Sequence, residues 1–222
     1  MGRHREFDED AVLHALTRLF WRQGFRGTSI RDLSKETGLA ESRLYNAFGD
    51  KRQMFLLALD RYRARVVRFA SEVTESEDPM GAIRDYFLAI ARGLARQEDF
   101  RGCLITNTMI ELAPHDEEIR EQLRVNYEVQ VEIFRKALTN ARSQGQLDKQ
   151  ADVQQLARYL VQHLEGLRVT SKSNPGEKSL VETAEFALSL LPVTSGSKQR
   201  KKTAPRTGAT GTRKKSKQLQ KD

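Results

Sequence analysis

Between Gly27 and Phe55 the chain reads GTSIRDLSKETGLAESRLYNAFGDKRQMF, and this stretch constrains its folding choices more tightly than any other. Ser29 suits a helix N-cap, and Asp32 three positions later completes a capping-box pair. Ile30 and Leu33 supply one apolar face. Thr37 falls near the helix end, and Gly38 sits where helices commonly close in a left-handed residue. Leu39 returns the chain to the core. A second helix is expected from Glu41 through Ala47. Leu44 and Phe48, four apart, share its buried side, which leaves Glu41, Ser42, Arg43, Tyr45 and Asn46 on the other faces. Gly49 ends that helix, and Asp50, with Gln53 three residues on, caps a third. Two short helices joined by a glycine turn suit the geometry that lays the second helix in a DNA major groove.

The flanking sequence continues in helices. Asp8 is the expected cap of the first, with Phe7 and Val12 positioned as a hydrophobic staple. Ala11, Ala15, Leu16, Leu19 and Phe20 form its inner stripe, and Gly24 ends it. Downstream, Pro79, Pro114, Pro175, Pro192 and Pro205 stand at breaks, and apolar residues recur at helical spacing without sustained alternation. A long helix is expected over about 50–73, then others over about 80–97, 102–112, 116–144, 149–171 and 177–191. The fold class is therefore all-α, with about nine helices. Residues 1–55 form a three-helix head with the helix-turn-helix. Residues 56–193 form a larger helical domain, and residues 194–222 a disordered basic tail.

Phe20, Gly24-Phe25, Thr28-Ser29-Ile30, Leu33, Gly38-Leu39, Leu44-Tyr45, Phe48, Lys51 and Phe55 match, without gaps, the pattern of one family. At these positions the chain resembles the TetR family of bacterial transcriptional regulators. Arg101-Gly102-Cys103-Leu104 and Glu111-Leu112-Ala113-Pro114-His115 look like a subgroup of that family. Ser34, where relatives more often carry alanine, and the ending Tyr45-Asn46-Ala47 depart from the pattern. The resemblance implies a homodimer reading a palindromic double-stranded operator, with Ser29, Arg31, Ser42, Arg43, Tyr45, Asn46 and Lys51 as the DNA-contacting set. Their chemistry divides the work. Arg43 suits a guanine edge and Asn46 an adenine edge, whereas Ser29, Tyr45 and Lys51 suit phosphate. Glu41 is left out, because a carboxylate repels phosphate.

The resemblance also implies repression relieved by a small-molecule effector held in the second domain. Phe87, Ile90, Cys103, Asn107, Met109, Tyr127, Phe134 and His163 are the candidate lining, although such a stripe also reads as ordinary core. The last two helices are expected to pair with their symmetry mates. A constitutive dimer whose second domain only dimerises is the alternative to effector release. Cys103 opens a further alternative as an electrophile or oxidant sensor, since it is placed at a helix start with Arg101 two residues back. A lone cysteine also reads as a small apolar packer.

Composition narrows the remaining classes. One cysteine excludes an intramolecular disulfide framework and a cysteine-based zinc cluster. His4, His14, His115 and His163 show no ligand spacing, and neither a cofactor motif nor a catalytic grouping is recognisable, so no metal, cofactor or enzyme activity is expected. The N-terminus MGRHREFDED does not read as a signal peptide and no apolar run spans a bilayer, which predicts a cytoplasmic protein. Net charge is +8, but from Thr194 onward ten Lys and Arg residues face a single acid, Asp222. The tail carries +9 and the rest −1, so the folded part is not a generally basic binder.

Overall fold

The computed structural model describes residues 7–194 of the 222-residue chain. The tail expected over 194–222 lies, apart from Thr194, outside the described residues. Among these there are nine α-helices: α1 (Glu9–Gln23), α2 (Ile30–Thr37), α3 (Glu41–Phe48), α4 (Lys51–Ser71), α5 (Pro79–Ala95), α6 (Leu104–Glu111), α7 (Glu117–Ser143), α8 (Val153–Thr170) and α9 (Gly176–Ser189). The only β feature among the described residues is an antiparallel bridge between Leu147 and Val193.

Aspartates start most of the longer helices. Asp8, Asp50, Asp78, Asp116 and Asp152 each accept from first-turn amides of α1, α4, α5, α7 and α8. Each carboxylate satisfies donors that the helix leaves unpaired and meets the positive end of its dipole. Both expected capping boxes form, Ser29 with Asp32 and Asp50 with Gln53.

Helices this short are marginal alone, so the head is held by its core. Phe55 lies between Phe20 and Phe25, with ring centroids at 5.2 and 5.1 Å. Leu16, Leu33, Leu44 and Met54 are fully buried around it, each contributing about 1.5–3 kcal/mol. Ala11, expected on the inner stripe, is exposed, and Val12 takes the buried position. Phe7 packs on Phe48 at 6.2 Å.

A second core joins α5, α7, α8 and α9 around Phe87, Phe134, Leu138, Leu160 and Leu164. The long α4 serves both cores, contributing Met54 through Tyr62 to the first and Ala70 to the second. Cys103, Leu104, Ile105 and Leu112 around α6, with Ile119 and Leu123 of α7, pack into the head's core. The head thus rests on a platform made by the larger part of the chain.

Polar contacts fix that seat. Glu111 at the end of α6 accepts from the backbone amides of Phe25 and Arg26 at 3.0 and 2.7 Å. Gly24 makes this approach possible. Its φ is +74°, and a Cβ there would stand 2.6 Å from the Glu111 Oε2, so both conformation and space call for glycine. Arg52 at the start of α4 donates to both carboxylate oxygens of Asp116, at 3.1 and 2.9 Å, and lies 2.9 Å from Glu118.

Candidate nucleic-acid interface and adjoining cavity

The exposed side of α3 follows from its buried side. Leu44 and Phe48 turn inward, and Ser42, Arg43, Tyr45 and Asn46 are left on the surface, with Tyr45 46% exposed. Arg31, in the first turn of α2, is also exposed. The Ser29 hydroxyl is engaged in its own cap, accepting from the Asp32 amide at 3.1 Å and donating to the Asp32 carboxylate. Donation from the Ser29 hydroxyl first, and from the Ser29 backbone amide, holds the Asp32 carboxyl below the usual range. Lys51 is half-buried, with its Nζ 4.4 Å from the centre of the Phe25 ring. Asp50 accepts from the Gln53 amide at 2.8 Å, so part of the donor capacity at the start of α4, beside Lys51, is already used. The departure at Ser34 has a role that pattern reading missed. Its hydroxyl donates to the Leu39 carbonyl at 2.7 Å and ties the end of α2 to the turn before α3. Ion pairs from Glu36 to Arg18 at 2.5 Å and to Arg22 at 3.5 Å brace α2 against α1.

Where the head meets the rest, a cavity of about 410 Å³ lies among α1, α4, α5, the segment before α6, and α8. Trp21, Tyr62, Val66, Ile90, Leu94 and Cys103 give it a mainly apolar wall. The Trp21 Nε1 donates to the Gly102 carbonyl at 3.0 Å across the joint. Arg168 is the polar surprise: it is 3% exposed, and its Nη1 donates to Glu165 at 2.5 Å. Burial disfavours its charge, but Cys103, Glu165 and the nearby tyrosines more than offset this and raise its pKa. The Tyr86 hydroxyl is buried on the same wall without a hydrogen-bond partner. Burial pushes the Tyr62 phenol well above its ordinary value, with the adjacent Cys103 adding to the effect.

The chain matches two family models, each over one of these parts. Residues 12–58 match the model of bacterial regulatory proteins of the tetR family, and residues 79–183 that of the tetracyclin repressor-like C-terminal domain. The chain belongs to the TetR family. It is 30% identical over 196 residues to the HTH-type transcriptional repressor ComR of Escherichia coli (strain K12), covering 86% of this chain and 92% of the relative. It is 33% identical over 193 residues to the HTH-type transcriptional regulator YezE of Bacillus subtilis (strain 168), covering 86% of this chain and all (100%) of the relative. Among solved structures, a cysteine-substituted form of the TetR family regulator CifR, complexed with 26-base-pair double-strand operator DNA, superposes with a TM-score of 0.78. That pair is 26% identical, covering 86% of this chain and 100% of the other. The protein is a DNA-binding transcriptional regulator of the TetR family.

Within this TetR family chain the expected ligand set divides. Ile90 and Cys103 line the cavity. Phe87 and Phe134 do not: they are fully buried against each other, ring centroids 6.0 Å apart, as parts of the second core. Tyr127 packs on that core and Met109 on the head's core. Asn107 is spent on structure, donating to the Arg101 carbonyl and accepting from Lys172. His163 stacks near Phe87 and Tyr159, at 6.2 Å from each, and burial lowers its pKa. Trp21, Tyr62 and Arg168 were missed. Helical periodicity assigns each to an element without saying which elements meet. Cys103 is 3% exposed and stands at the N-cap of α6 as expected. Arg101, however, directs its guanidinium to Trp21 at 4.2 Å and to Asp99 at 3.4 Å. Among the described residues no group of His, Cys, Asp or Glu could hold a metal, and no helix is long and apolar enough to cross a membrane.

Proposed function

We propose that the protein is a homodimeric repressor that grips a palindromic operator through its paired α3 helices and releases it when a small molecule enters the cavity at the joint. The observation that carries this reading is the position of the cavity. Its wall includes Trp21 from the head and Gly102 from the platform, which are joined by one hydrogen bond. A ligand there acts on both sides of the joint, so its binding free energy can differ between two head orientations, which is what coupling requires. A filled interior would favour the constitutive dimer instead. The name of the relative ComR supports repression, and the operator complex of CifR supports double-stranded DNA as partner. Exposed Phe186, Leu190 and Val169, at 66%, 59% and 45%, support pairing of α8 and α9 with a second copy. The test is operator binding by fluorescence anisotropy, on DNA chosen by genome-wide mapping of bound sites, with metabolites of the neighbouring genes added. Release by one of them is expected. Binding that no candidate weakens would favour the constitutive dimer.

Cys103 supports a second reading, because its side chain lines the same cavity. A thiol there could be modified by an electrophile or oxidant and displace the joint. Under this reading Cys103→Ser keeps operator affinity and loses release by such reagents. Normal release from the variant leaves Cys103 as a packing residue.

A further inference from the structure

The cavity has a charged neighbour on each side, and the two differ in sign. Toward α1 and α4 it shares Trp21, Tyr62 and Arg65 with a groove of about 340 Å³ that also presents His14, Arg18 and Arg68. No carboxylate lines either space. Arg18 is paired with Glu36, and Arg61, also on the groove, with Asp10, but among the described residues no carboxylate lies in ion-pair range of Arg65 or Arg68. The Arg65 guanidinium stands 5.6 and 5.1 Å from the centres of the Trp21 and Tyr62 rings, at the line where cavity and groove meet. On the far side, beyond Phe69 and Tyr86, a cleft of about 440 Å³ is lined by Glu72, Asp78 and Asp85. A ligand with one charged end therefore meets opposite fields at the two ends of the cavity.

We infer that the effector is an organic anion, a carboxylate on an apolar aromatic or aliphatic body, whose charge is received by Arg65 with Arg68 behind it. This rests on the effector-release reading above and assigns its ligand class. The apolar body replaces water against Ile90, Val66 and Leu94. The planar guanidinium of Arg65 can bind both oxygens of a carboxylate, and the Trp21 and Tyr62 rings lie within cation–π range of it. Arg168 does not take the charge, because Glu165 already balances it inside the protein. The inner wall instead offers the unpartnered Tyr86 hydroxyl, which suits a neutral polar substituent.

Trp21 is the only tryptophan of the chain and lines both cavity and groove, so its fluorescence reports occupancy directly. Full-length protein is titrated with octanoate, 4-phenylbutanoate and cyclohexylacetate, each beside its primary amide and the amine of equal length. Saturable quenching by at least one carboxylate is expected, with affinity about tenfold or more above its amide and amine. Arg65→Gln is expected to remove that preference while changing amide binding less than about twofold, since the apolar wall is intact. Equal affinity for acid and amide, preference for the amine, or no saturable binding by any carboxylate overturns the assignment. The same titration on the operator complex separates the two claims. Charge-selective binding that leaves the complex intact supports the anion site and removes the release mechanism. Release by neutral or thiol-reactive compounds alone does the reverse.

Discussion

At the scale of single residues, the exposed side of α3 carries the specificity of the proposed contact. Arg43 and Asn46 have the donor and acceptor patterns that distinguish base edges. Arg43→Ala and Asn46→Ala should each lose about 1–3 kcal/mol of discrimination at particular operator positions. Lys51→Ala should instead weaken all sequences alike and lower the salt slope by about one unit. Binding-site selection on the three variants checks this, and unaltered preferences in the first two would remove the base-reading assignment. Ser34 and Gly24 carry a separate lesson. Ser34 departs from the family pattern and Gly24 belongs to it, yet each serves a contact that the pattern does not announce, to Leu39 and to Glu111 respectively.

Elements meet most consequentially where α6 and α7 seat the head. Glu111 receives two head amides, and its removal leaves the half-buried Phe25 amide unpaired and the exposed Arg26 amide to water. Glu111→Ala should cost about 1–3 kcal/mol of stability, and operator affinity should fall even though the residue is remote from α3. Thermal unfolding combined with anisotropy checks this; unchanged operator affinity would mean that the seat does not orient the head. The neighbouring contact is sensitive to acid. The Asp116 carboxyl is held below its ordinary value by the Ile119 amide first and by Arg52 as well. A carboxylate with a lowered folded pKa stabilises fully above its ordinary pKa. That contribution then fades as pH falls toward the folded value. Asp116→Asn should therefore lower stability at neutral pH and flatten the decline below the ordinary carboxylate range. Unfolding midpoints measured between neutral and acidic pH read out both effects.

For the whole molecule, two predictions concern surfaces and ends. Phe186→Asp on α9 should shift the protein toward monomer in sedimentation and abolish tight operator binding, because each half-site needs its own α3. A variant that remains dimeric would move the interface elsewhere. The basic segment can be removed cleanly only after Thr194. Pro192 accepts from the Asp148 amide at 2.9 Å and Thr194 donates to Gln146 at 3.1 Å, so those residues belong to the folded part. Truncation there deletes ten cations against one acid. It should preserve operator choice while lowering affinity for specific and random DNA, with a shallower salt dependence. Equal salt slopes would show that the segment does not engage DNA.

What could be read without coordinates was local. Apolar spacing of three and four, aspartate caps and positive-φ glycines act within one or two turns, so the nine helices, both capping boxes and the outward face of α3 were legible. The cavity proposed to hold the effector was not. The aromatic stripe at Phe87, Tyr127 and Phe134 has the periodicity of either a core or a pocket, and only the packing of α5 against α7 and α8 made it core. The cavity opened instead where Trp21 of α1, Tyr62 of α4, Cys103 before α6 and Arg168 of α8 converge. Those positions are far apart in sequence. Their meeting depends on how separate helices close on one another, a property that no local spacing encodes.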